Sequence, residues 1–325
     1  MTTHARPLPG RALPASIRPA GALRLLTWPA LDAAGADAAV TARNGGVSSG
    51  PYATLNLSLN VGDDPANVLE NRRRLAASLG ADPGDFVFAR QVHGAGVRVV
   101  GEADRGSGAF RPDDAIADAD ALVTTSPGVV LAILTADCVP IVLHDPVARV
   151  LACVHAGWRG TAAGVTAAAV AAMQALGSRP SDILAGVGPA IAPARYQVGP
   201  DVHQAVTQAF GPPATAFLRP DPDPQTSDRW LLDLWAANRR ALRQSGVPAP
   251  QIHITTLPTG PIEPTDPTHP TDPTHPTDSF HPTGPIHPTE PTHPTTPGHF
   301  FSDRAERPCG RLALVARLRT TGHCQ

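Results

Sequence analysis

The most informative stretch of the sequence is Thr135-Ala-Asp-Cys-Val-Pro-Ile-Val-Leu-His-Asp-Pro-Val-Ala-Arg-Val-Leu-Ala-Cys-Val-His-Ala-Gly-Trp-Arg-Gly160. Two apolar runs flank Asp145-Pro-Val-Ala148, which has the composition of a tight turn, so the pattern predicts an antiparallel β-hairpin. If the turn is centred between Pro146 and Val147, Cys138 lies opposite His155. Directly opposed side chains have Cβ atoms about 4.5–5.5 Å apart, so this register brings a thiol and an imidazole together.

A third candidate ligand, His93, lies in Gln91-Val-His-Gly-Ala-Gly96 between two further predicted strands. Two histidines and a cysteine form a known ligand set of catalytic zinc, with the fourth position open for water or substrate. Cysteine is often buried for packing alone, and a buried histidine is more often a satisfied core residue than a ligand. The residues alone therefore leave two hypotheses open, a metal site at His93, Cys138 and His155 or an ordinary packed core.

Runs of apolar and β-branched residues of strand length recur along the chain, and four one-sided apolar patterns predict helices. The predicted strands cover 86–92, 97–100, 121–124, 129–134, 139–143, 150–155, 183–187, 252–255 and 312–315, and the helices cover 64–80, 161–176, 202–210 and 231–242. Many strands follow one another without an intervening helix. The sequence therefore predicts an α+β fold with mixed β-sheets and flanking helices.

The composition excludes several classes of function. The 325 residues include no lysine, which rules out Schiff-base and P-loop chemistry, and the net charge of -2 gives no basic face for nucleic acid. The four cysteines are too few and too dispersed for a disulfide framework, which indicates reduced thiols and a cytoplasmic protein. No apolar run approaches the roughly 20 residues of a membrane helix, so neither nucleic acid nor membrane is an expected partner.

Three segments are predicted to lie outside a single catalytic domain over 25–318. Residues 1–24 read as a disordered tail, residues 319–325 as a C-terminal tail, and residues 258–298 as a disordered insertion rich in Pro, Thr and His. In the insertion, histidines recur every six residues at His269, His275, His281, His287, His293 and His299. Extended polyproline II would place neighbouring histidines about 19 Å apart, too far to share an ion.

Many short motifs occur in the order that is typical of one known family, and the chain resembles the YfiH/laccase-domain family. The motifs are Arg43-Asn-Gly-Gly-Val-Ser48, Asn56-Leu57, Val61-Gly-Asp-Asp64, Asn71-Arg72, Gln91-Val-His-Gly94, Asp118-Ala-Asp-Ala121, Thr135-Ala-Asp-Cys-Val-Pro140, His155-Ala-Gly-Trp-Arg-Gly160, Gly188-Pro189, Tyr196-Gln-Val198, Phe300-Phe-Ser302 and Gly310-Arg311. The resemblance spans about residues 25–257 and 299–318.

This resemblance implies a fold of the type shared with cysteine-hydrolase-like proteins and a zinc ion held by His93, Cys138 and His155. It also implies a purine nucleoside enzyme that acts with phosphate on adenosine, inosine, guanosine and methylthioadenosine, and that deaminates adenosine in the same site. Older names in the family refer to multicopper polyphenol oxidase and to peptidoglycan editing. Copper is the less expected metal, and we expect a monomer or a homodimer.

Candidate roles follow for the residues around the predicted centre. His93, Cys138 and His155 are catalytic candidates as well as ligands, and Asp137 is a further candidate that either carries protons or makes structural hydrogen bonds. Regular strand alternation would turn Asp137 away from Cys138. Phosphate binding calls for arginine, with Arg43 and Arg159 as the candidates.

Two other classes of enzyme remain open at this stage. A metal-free cysteine hydrolase would use Cys138 as nucleophile and His155 as base, which suits peptidoglycan editing. A copper-dependent polyphenol oxidase needs histidines clustered with cysteine and often methionine, and the chain has only two methionines. The sequence also departs from the family where a Phe-Ser-x-Arg-Arg pattern becomes Phe301-Ser-Asp-Arg-Ala305, with one arginine lost.

Overall fold

The predicted hairpin forms the centre of a mixed sheet in the computed structural model, which describes residues 15–223, 228–261 and 298–320. The strands among these residues are β1 (Ser16–Ala20), β2 (Leu23–Thr27), β3 (Ala36–Thr41), β4 (Phe86–Phe88), β5 (Val97–Val99), β6 (Ala121–Thr124), β7 (Val130–Thr135), β8 (Val139–Asp145), β9 (Val150–Ala156), β10 (Leu184–Val187), β11 (Gln197–Val198), β12 (Leu218–Pro220), β13 (Trp230–Leu232), β14 (Ile252–Ile254) and β15 (Leu312–Leu318). The helices are α1 (Pro29–Ala33), α2 (Pro65–Ser78), α3 (Trp158–Ala162), α4 (Val165–Ala175), α5 (Pro200–Phe210) and α6 (Leu234–Gln244).

Two six-stranded sheets carry the architecture. The first has the order β1-β2-β3-β15-β7-β4 and the second the order β14-β10-β8-β9-β6-β5. Most neighbours are antiparallel, but β4 and β7, β5 and β6, and β10 and β14 run parallel. The sheets are therefore mixed, and the predicted α+β class is confirmed.

The two sheets pack face to face. Their shared core contains side chains from both, among them Leu131 and Leu314 of the first sheet and Val142 and Cys153 of the second. Helix α2 contributes Leu75 to the apolar cluster on the outer face of the first sheet, and α4 to α6 pack on the outer face of the second. This layering explains why β7, β8 and β9 are buried on both faces and read as continuous apolar runs.

Helix α2 begins as the sequence predicts. The side chain of Asp64 accepts a hydrogen bond from the backbone N–H of Ala66, and Pro65 occupies the first helical position. Asn71 and Arg72 lie on a buried face of this helix. Their side chains donate hydrogen bonds to the backbone carbonyls of Asn56 and Leu57 and so fix the loop before the helix. The helix therefore holds the wall of the cavity described below.

The register predicted for the hairpin is wrong. His155 faces Pro140, and Val139 faces Ala156, so Cys138 lies just beyond the paired residues. The turn is longer than assumed, because the Asp145 carboxylate accepts hydrogen bonds from the N–H groups of Val147 and Ala148 and closes a wider loop. The shift is an even number of residues, so His155 keeps its face of the sheet.

The predicted segment boundaries also need correction. Residues 15–24 belong to the fold, since β1 pairs with β2 at the edge of the first sheet, while residues 1–14 and most of the histidine repeat lie outside the described residues. Both ends of the predicted insertion are packed, because Pro258 bridges to Ala190 and the N–H of Gly260 donates to the carbonyl of Phe300. At the predicted C-terminal tail, Arg319 is paired with Asp37. No helix in the described part of the chain is long and apolar enough to cross a membrane.

Candidate metal centre and active site

Three side chains from separate elements meet at one end of the second sheet. His155 lies on β9, Cys138 lies in the turn between β7 and β8, and His93 lies in the loop after β4. The candidate ligand atoms of these residues all lie within 4.8 Å of one another. The histidine rings meet edge to face, with centroids 4.8 Å apart and planes at 80°. Among the described residues, this is the one group of three such side chains that could hold an ion.

Asp120 orients two of the three candidate ligands. Its carboxylate lies 2.8 Å from Nδ1 of His155 and accepts hydrogen bonds from the backbone N–H groups of Val92, His93 and Gly94. Burial raises the pKa of this carboxyl, but the hydrogen bonds from His155 and the backbone outweigh burial and lower it. An ionised Asp120 therefore accepts a hydrogen bond from the Nδ1–H of His155, which directs Nε2 toward the other two candidate ligands.

Gly157 leaves the space that the three side chains need. A Cβ at this position would lie 2.8 Å from Sγ of Cys138 and 3.2 Å from Cδ2 of His93. His93 has a φ of 60° and Asp137 a φ of 85°, both in the left-handed region that non-glycine residues seldom adopt. Close contacts and left-handed backbone conformations therefore occur together at the centre, as is common at functional sites.

The charges of the centre favour an anionic sulfur. Burial raises the pKa of the Cys138 thiol, but the charges and hydrogen bonds of His155 and His93 outweigh burial and lower it. Burial likewise lowers the pKa of His155, whereas Cys138 and Asp120 raise it by more. The metal-free protein therefore holds a thiolate beside a protonated imidazole. An ion that displaced the Nε2 proton of His155 would find one thiolate and two imidazoles, a donor set that suits a tetrahedral ion such as zinc.

The centre lies in a cavity of about 690 Å³, within the range of small-molecule sites. Four segments form its walls: the turn before β8, the loop after β4, the loop between β3 and α2, and the segment before β15. Five arginines line this cavity: Arg72, Arg90, Arg304, Arg307 and Arg311. The cavity therefore places cationic donors near a centre that can bind an ion.

Asp137 lines the same cavity beside Cys138. Its carboxylate accepts hydrogen bonds from the hydroxyl of Thr259 and from the backbone N–H of Arg304, the latter at 2.7 Å. The backbone here does not alternate as in a regular strand, so Asp137 and Cys138 face the same cavity. Both oxygens of the carboxylate have protein partners, and the catalytic role predicted for Asp137 stays a prediction.

Neither arginine predicted to bind phosphate lines the cavity. The Arg43 guanidinium pairs with Glu306 at 3.0 Å and lies 4.6 Å from the ring centre of Phe301. Arg159 lies 4.3 Å above the ring of Trp158. Arg43 therefore ties the segment before β15 to the loop after β3, and substrate binding by either residue stays a prediction.

These features define a class of α+β protein in which two packed mixed sheets present a His–Cys–His centre at the base of an arginine-lined cavity. Comparison with known proteins agrees. The chain belongs to the laccase-domain or YfiH family, since the family model described as multi-copper polyphenol oxidoreductase laccase matches residues 37–263.

Relatives with curated names share much of the sequence. Purine nucleoside phosphorylase YlmD of Geobacillus stearothermophilus is 42% identical over 224 residues, which cover 68% of this chain and 80% of the relative. A purine nucleoside phosphorylase of Deinococcus radiodurans is 46% identical over 209 residues, 64% of this chain and 75% of the relative.

Solved structures share the fold. The crystal structure of YlmD from Geobacillus stearothermophilus aligns with a TM-score of 0.77 at 34% identity, covering 93% of this chain and 98% of that chain. The Bacillus licheniformis protein YfiH also aligns with a TM-score of 0.77, at 30% identity over 93% of this chain and 99% of that chain. The fold that positions the centre is therefore one that solved structures also have.

Sequence reasoning assigned no role to four residues at the site: Asp120, Tyr196, Thr259 and Arg304. The sequence offered one clue to Asp120, because this residue directly precedes the predicted strand 121–124. In the structure that strand pairs with the strand of His155. Tyr196 and Arg304 belong to motifs quoted above, but nothing in their spacing places them at the cavity. Thr259 lies at the edge of the repeat, where composition indicated no structure.

Proposed function

We propose that the protein is a zinc-dependent purine nucleoside phosphorylase that acts with phosphate on adenosine, inosine, guanosine and methylthioadenosine. The observation that carries this proposal is the joint placement of an ion-competent His–Cys–His centre and cavity arginines in one enclosure. Phosphorolysis needs a phosphate site beside a nucleoside site, and arginine is the residue suited to phosphate. The curated names of relatives at 42% and 46% identity support the same activity.

The proposed reaction balances without a further co-reactant. An oxygen of hydrogen phosphate forms a bond to C1′ of the ribose, the C1′–N9 bond breaks, and its electron pair stays on the purine. The proton of hydrogen phosphate ends on the purine nitrogen. Cavity arginines would neutralise phosphate, and the closed walls would limit competing attack by water.

Zinc is the proposed metal, held by His93, Cys138 and His155. When bound there, it would supply Lewis acidity that polarises an oxygen or activates water, which also serves the proposed deamination of adenosine in the same site. Asp120 keeps Nε2 of His155 directed at the ion, and Gly157 keeps the sulfur unobstructed. Asp137 is proposed to carry protons, with the alternative that it positions Thr259 and Arg304 through its carboxylate.

A specific observation favours a second candidate, a metal-free cysteine hydrolase that acts in peptidoglycan editing. The thiolate of Cys138 beside a protonated His155 is also the arrangement of a cysteine nucleophile and its base. Such an enzyme keeps its activity in chelator and loses it on thiol alkylation. Copper-dependent polyphenol oxidation, the third candidate, fits less well because a multicopper site needs more clustered ligands than the described residues provide.

Product analysis tests the proposal. Purified protein with its zinc content measured is incubated separately with adenosine, inosine, guanosine and methylthioadenosine, with and without phosphate, and the free bases, the inosine formed from adenosine and the sugar phosphates are separated by chromatography. Phosphate-dependent adenine and phosphate-independent inosine are expected, both lost in Cys138→Ala protein. If zinc-loaded protein turns over none of the four nucleosides, the phosphorylase proposal fails and peptidoglycan peptides become the substrates to assay. We expect a cytoplasmic monomer or homodimer.

A further inference from the structure

One cavity arginine, Arg304, combines unused donors with the lack of a carboxylate partner among the described residues. Arg307 and Arg311 pair with Asp303, and Arg90 pairs with the exposed Asp118 at 3.3 Å. Among the described residues, only Arg72 and Arg304 of the five have no carboxylate partner.

Arg72 is committed to the fold. Its guanidinium donates from Nε and both terminal nitrogens to the backbone carbonyls of Leu57, Gly108 and Ala109, at 2.6–2.9 Å. Burial without a carboxylate lowers the pKa of Arg72 to about 10. Four of its five N–H donors are therefore used by backbone carbonyls of the fold, and Arg304 is the better candidate for a ligand.

Arg304 is held by its backbone, which leaves its side chain available. Its backbone N–H donates to the Asp137 carboxylate, and the guanidinium donates one hydrogen bond of 3.1 Å to the carbonyl of Gln197. The side chain is exposed to the cavity and lies 5.3 Å from the ring centre of Tyr196. A charged guanidinium with most of its donors unused thus lies at the wall nearest to Asp137.

Tyr196 supplies a neutral donor beside this charge. The residue is buried and lines the cavity, and its backbone is fixed by hydrogen bonds with Pro193 and Leu232. In the described parts of the chain, the Tyr196 hydroxyl has no hydrogen-bond partner. It is also not one of the fully buried polar atoms that lack a partner. Burial first, and then the charge of Cys138, raise the pKa of Tyr196, so the hydroxyl keeps its proton at neutral pH.

We infer that Arg304 and Tyr196 form the anion subsite of the cavity and bind the phosphate co-substrate. The inference rests on the proposed function for the identity of the anion. A guanidinium only donates hydrogen bonds and carries a positive charge, and the phenol O–H beside it can donate one more, so the pair complements the acceptor oxygens of phosphate. Arg43 and Arg159, whose role in substrate binding stays a prediction, do not line the cavity, whereas Arg304 and Tyr196 do.

The test measures phosphate binding separately from turnover. Inorganic phosphate is titrated into the full-length, zinc-loaded protein by isothermal titration calorimetry, for wild type, Arg304→Ala, Arg304→Lys and Tyr196→Phe. Arg304→Ala is expected to weaken phosphate binding by about tenfold or more, the loss of a charge-assisted hydrogen bond, with part of the affinity restored in Arg304→Lys. Tyr196→Phe is expected to weaken it by about fivefold, as for a neutral hydrogen bond.

The control is Arg73→Ala, which removes an exposed arginine that pairs with Glu70 on α2. It should bind phosphate as wild type does, and the zinc affinity of all variants should be unchanged. Phosphate binding that is equal in Arg304→Ala and wild type, or absent from wild type, overturns the subsite.

Kinetics separates the two proposals. With adenosine saturating, Arg304→Ala should raise KM for phosphate by about tenfold and leave KM for adenosine nearly unchanged. Turnover with an unaltered KM for phosphate would overturn the subsite while the proposed function stands. Phosphate binding that depends on Arg304 without turnover of any nucleoside would instead reject the function and keep the subsite.

Discussion

Asp120 and His155 are joined twice, through Nδ1 of the imidazole at 2.8 Å from the carboxylate and through the His155 N–H, which donates to the Asp120 carbonyl at 2.7 Å. Both the ring and the backbone of a candidate ligand are therefore fixed by one residue. Because the same carboxylate also holds the backbone of His93, it organises two of the three ligands.

Asp120→Asn is expected to lower zinc affinity about 10- to 100-fold, because an amide cannot accept all the hydrogen bonds of the carboxylate and no longer stabilises His155 electrostatically. Competition with a chromogenic chelator measures the change. Asp118→Asn is the matched control, since Asp118 is exposed and its carboxylate pairs, within the described residues, with Arg90 alone. Equal zinc affinity in Asp120→Asn and wild type would contradict the orienting role.

Gly157→Ala is expected to lower zinc occupancy, because the new Cβ would lie 2.8 Å from the Cys138 sulfur. Overpacking of this kind costs about 1–3 kcal/mol, which either displaces the sulfur or destabilises the fold. Metal analysis of the purified protein and thermal unfolding separate these effects. Gly84→Ala serves as control, because a Cβ there meets nothing within 4 Å. Full zinc occupancy in Gly157→Ala would show that the centre tolerates the methyl group.

Among the three cysteines that the structure describes, alkylation of the metal-free protein should select Cys138 at neutral pH. Its pKa is lowered by the neighbouring histidines, so its thiolate forms below the pH at which an ordinary thiol ionises. Burial raises the pKa of Cys153, and it raises the pKa of Cys309 to about 11, so both stay protonated. The rate of iodoacetamide labelling, followed by mass spectrometry, should rise with pH and level off below pH 8.

Zinc should protect Cys138 in the same experiment, since a coordinated sulfur is a poorer nucleophile. Labelling of Cys138 that continues to increase above pH 9 would disprove the lowered pKa. Rapid labelling in the presence of saturating zinc would show that the sulfur is not a ligand, and would favour the metal-free hydrolase.

Removal of residues 262–297 should leave zinc binding and turnover intact when the ends are rejoined through a short glycine linker. The ends lie close together, because Gly298 packs directly against the backbone of Gly260. A longer deletion that starts at Thr259 should reduce turnover, since it removes the hydroxyl that donates to Asp137. Assays of both deletions beside Thr259→Val test this boundary, and a fully active Thr259 deletion would show that the contact is dispensable.

The sequence predicted the fold class and the central strands β7, β8 and β9, because strands buried on both faces produce long apolar runs. The small sheet of β11, β13 and β12 was missed, since its strands are short and its pattern merges with the neighbouring helices. The sequence predicts a disordered tail where β1 lies, because Arg18 and Pro19 interrupt the apolar pattern of this edge strand. Edge strands of this type carry little periodic signal.

The candidate site was predicted only in part, and for a physical reason. His93, Cys138 and His155 were identified from motifs, yet the hairpin register failed because it depends on hydrogen bonds of the Asp145 side chain within the turn. Arg304 and Thr259 reach the cavity through packing of the segments on either side of the repeat. Such long-range contacts leave no periodic trace in the sequence.

Strand β15 lies between β3 and β7 in the middle of the first sheet, although it is the final strand in chain order. During synthesis, β3 and β7 leave the ribosome long before the residues that join them. The sheet cannot close, and Arg304 cannot reach the cavity, until translation has passed residue 318. We therefore expect that a nascent chain gains neither its central β pairing nor a complete pocket until residues 312–318 have left the ribosome.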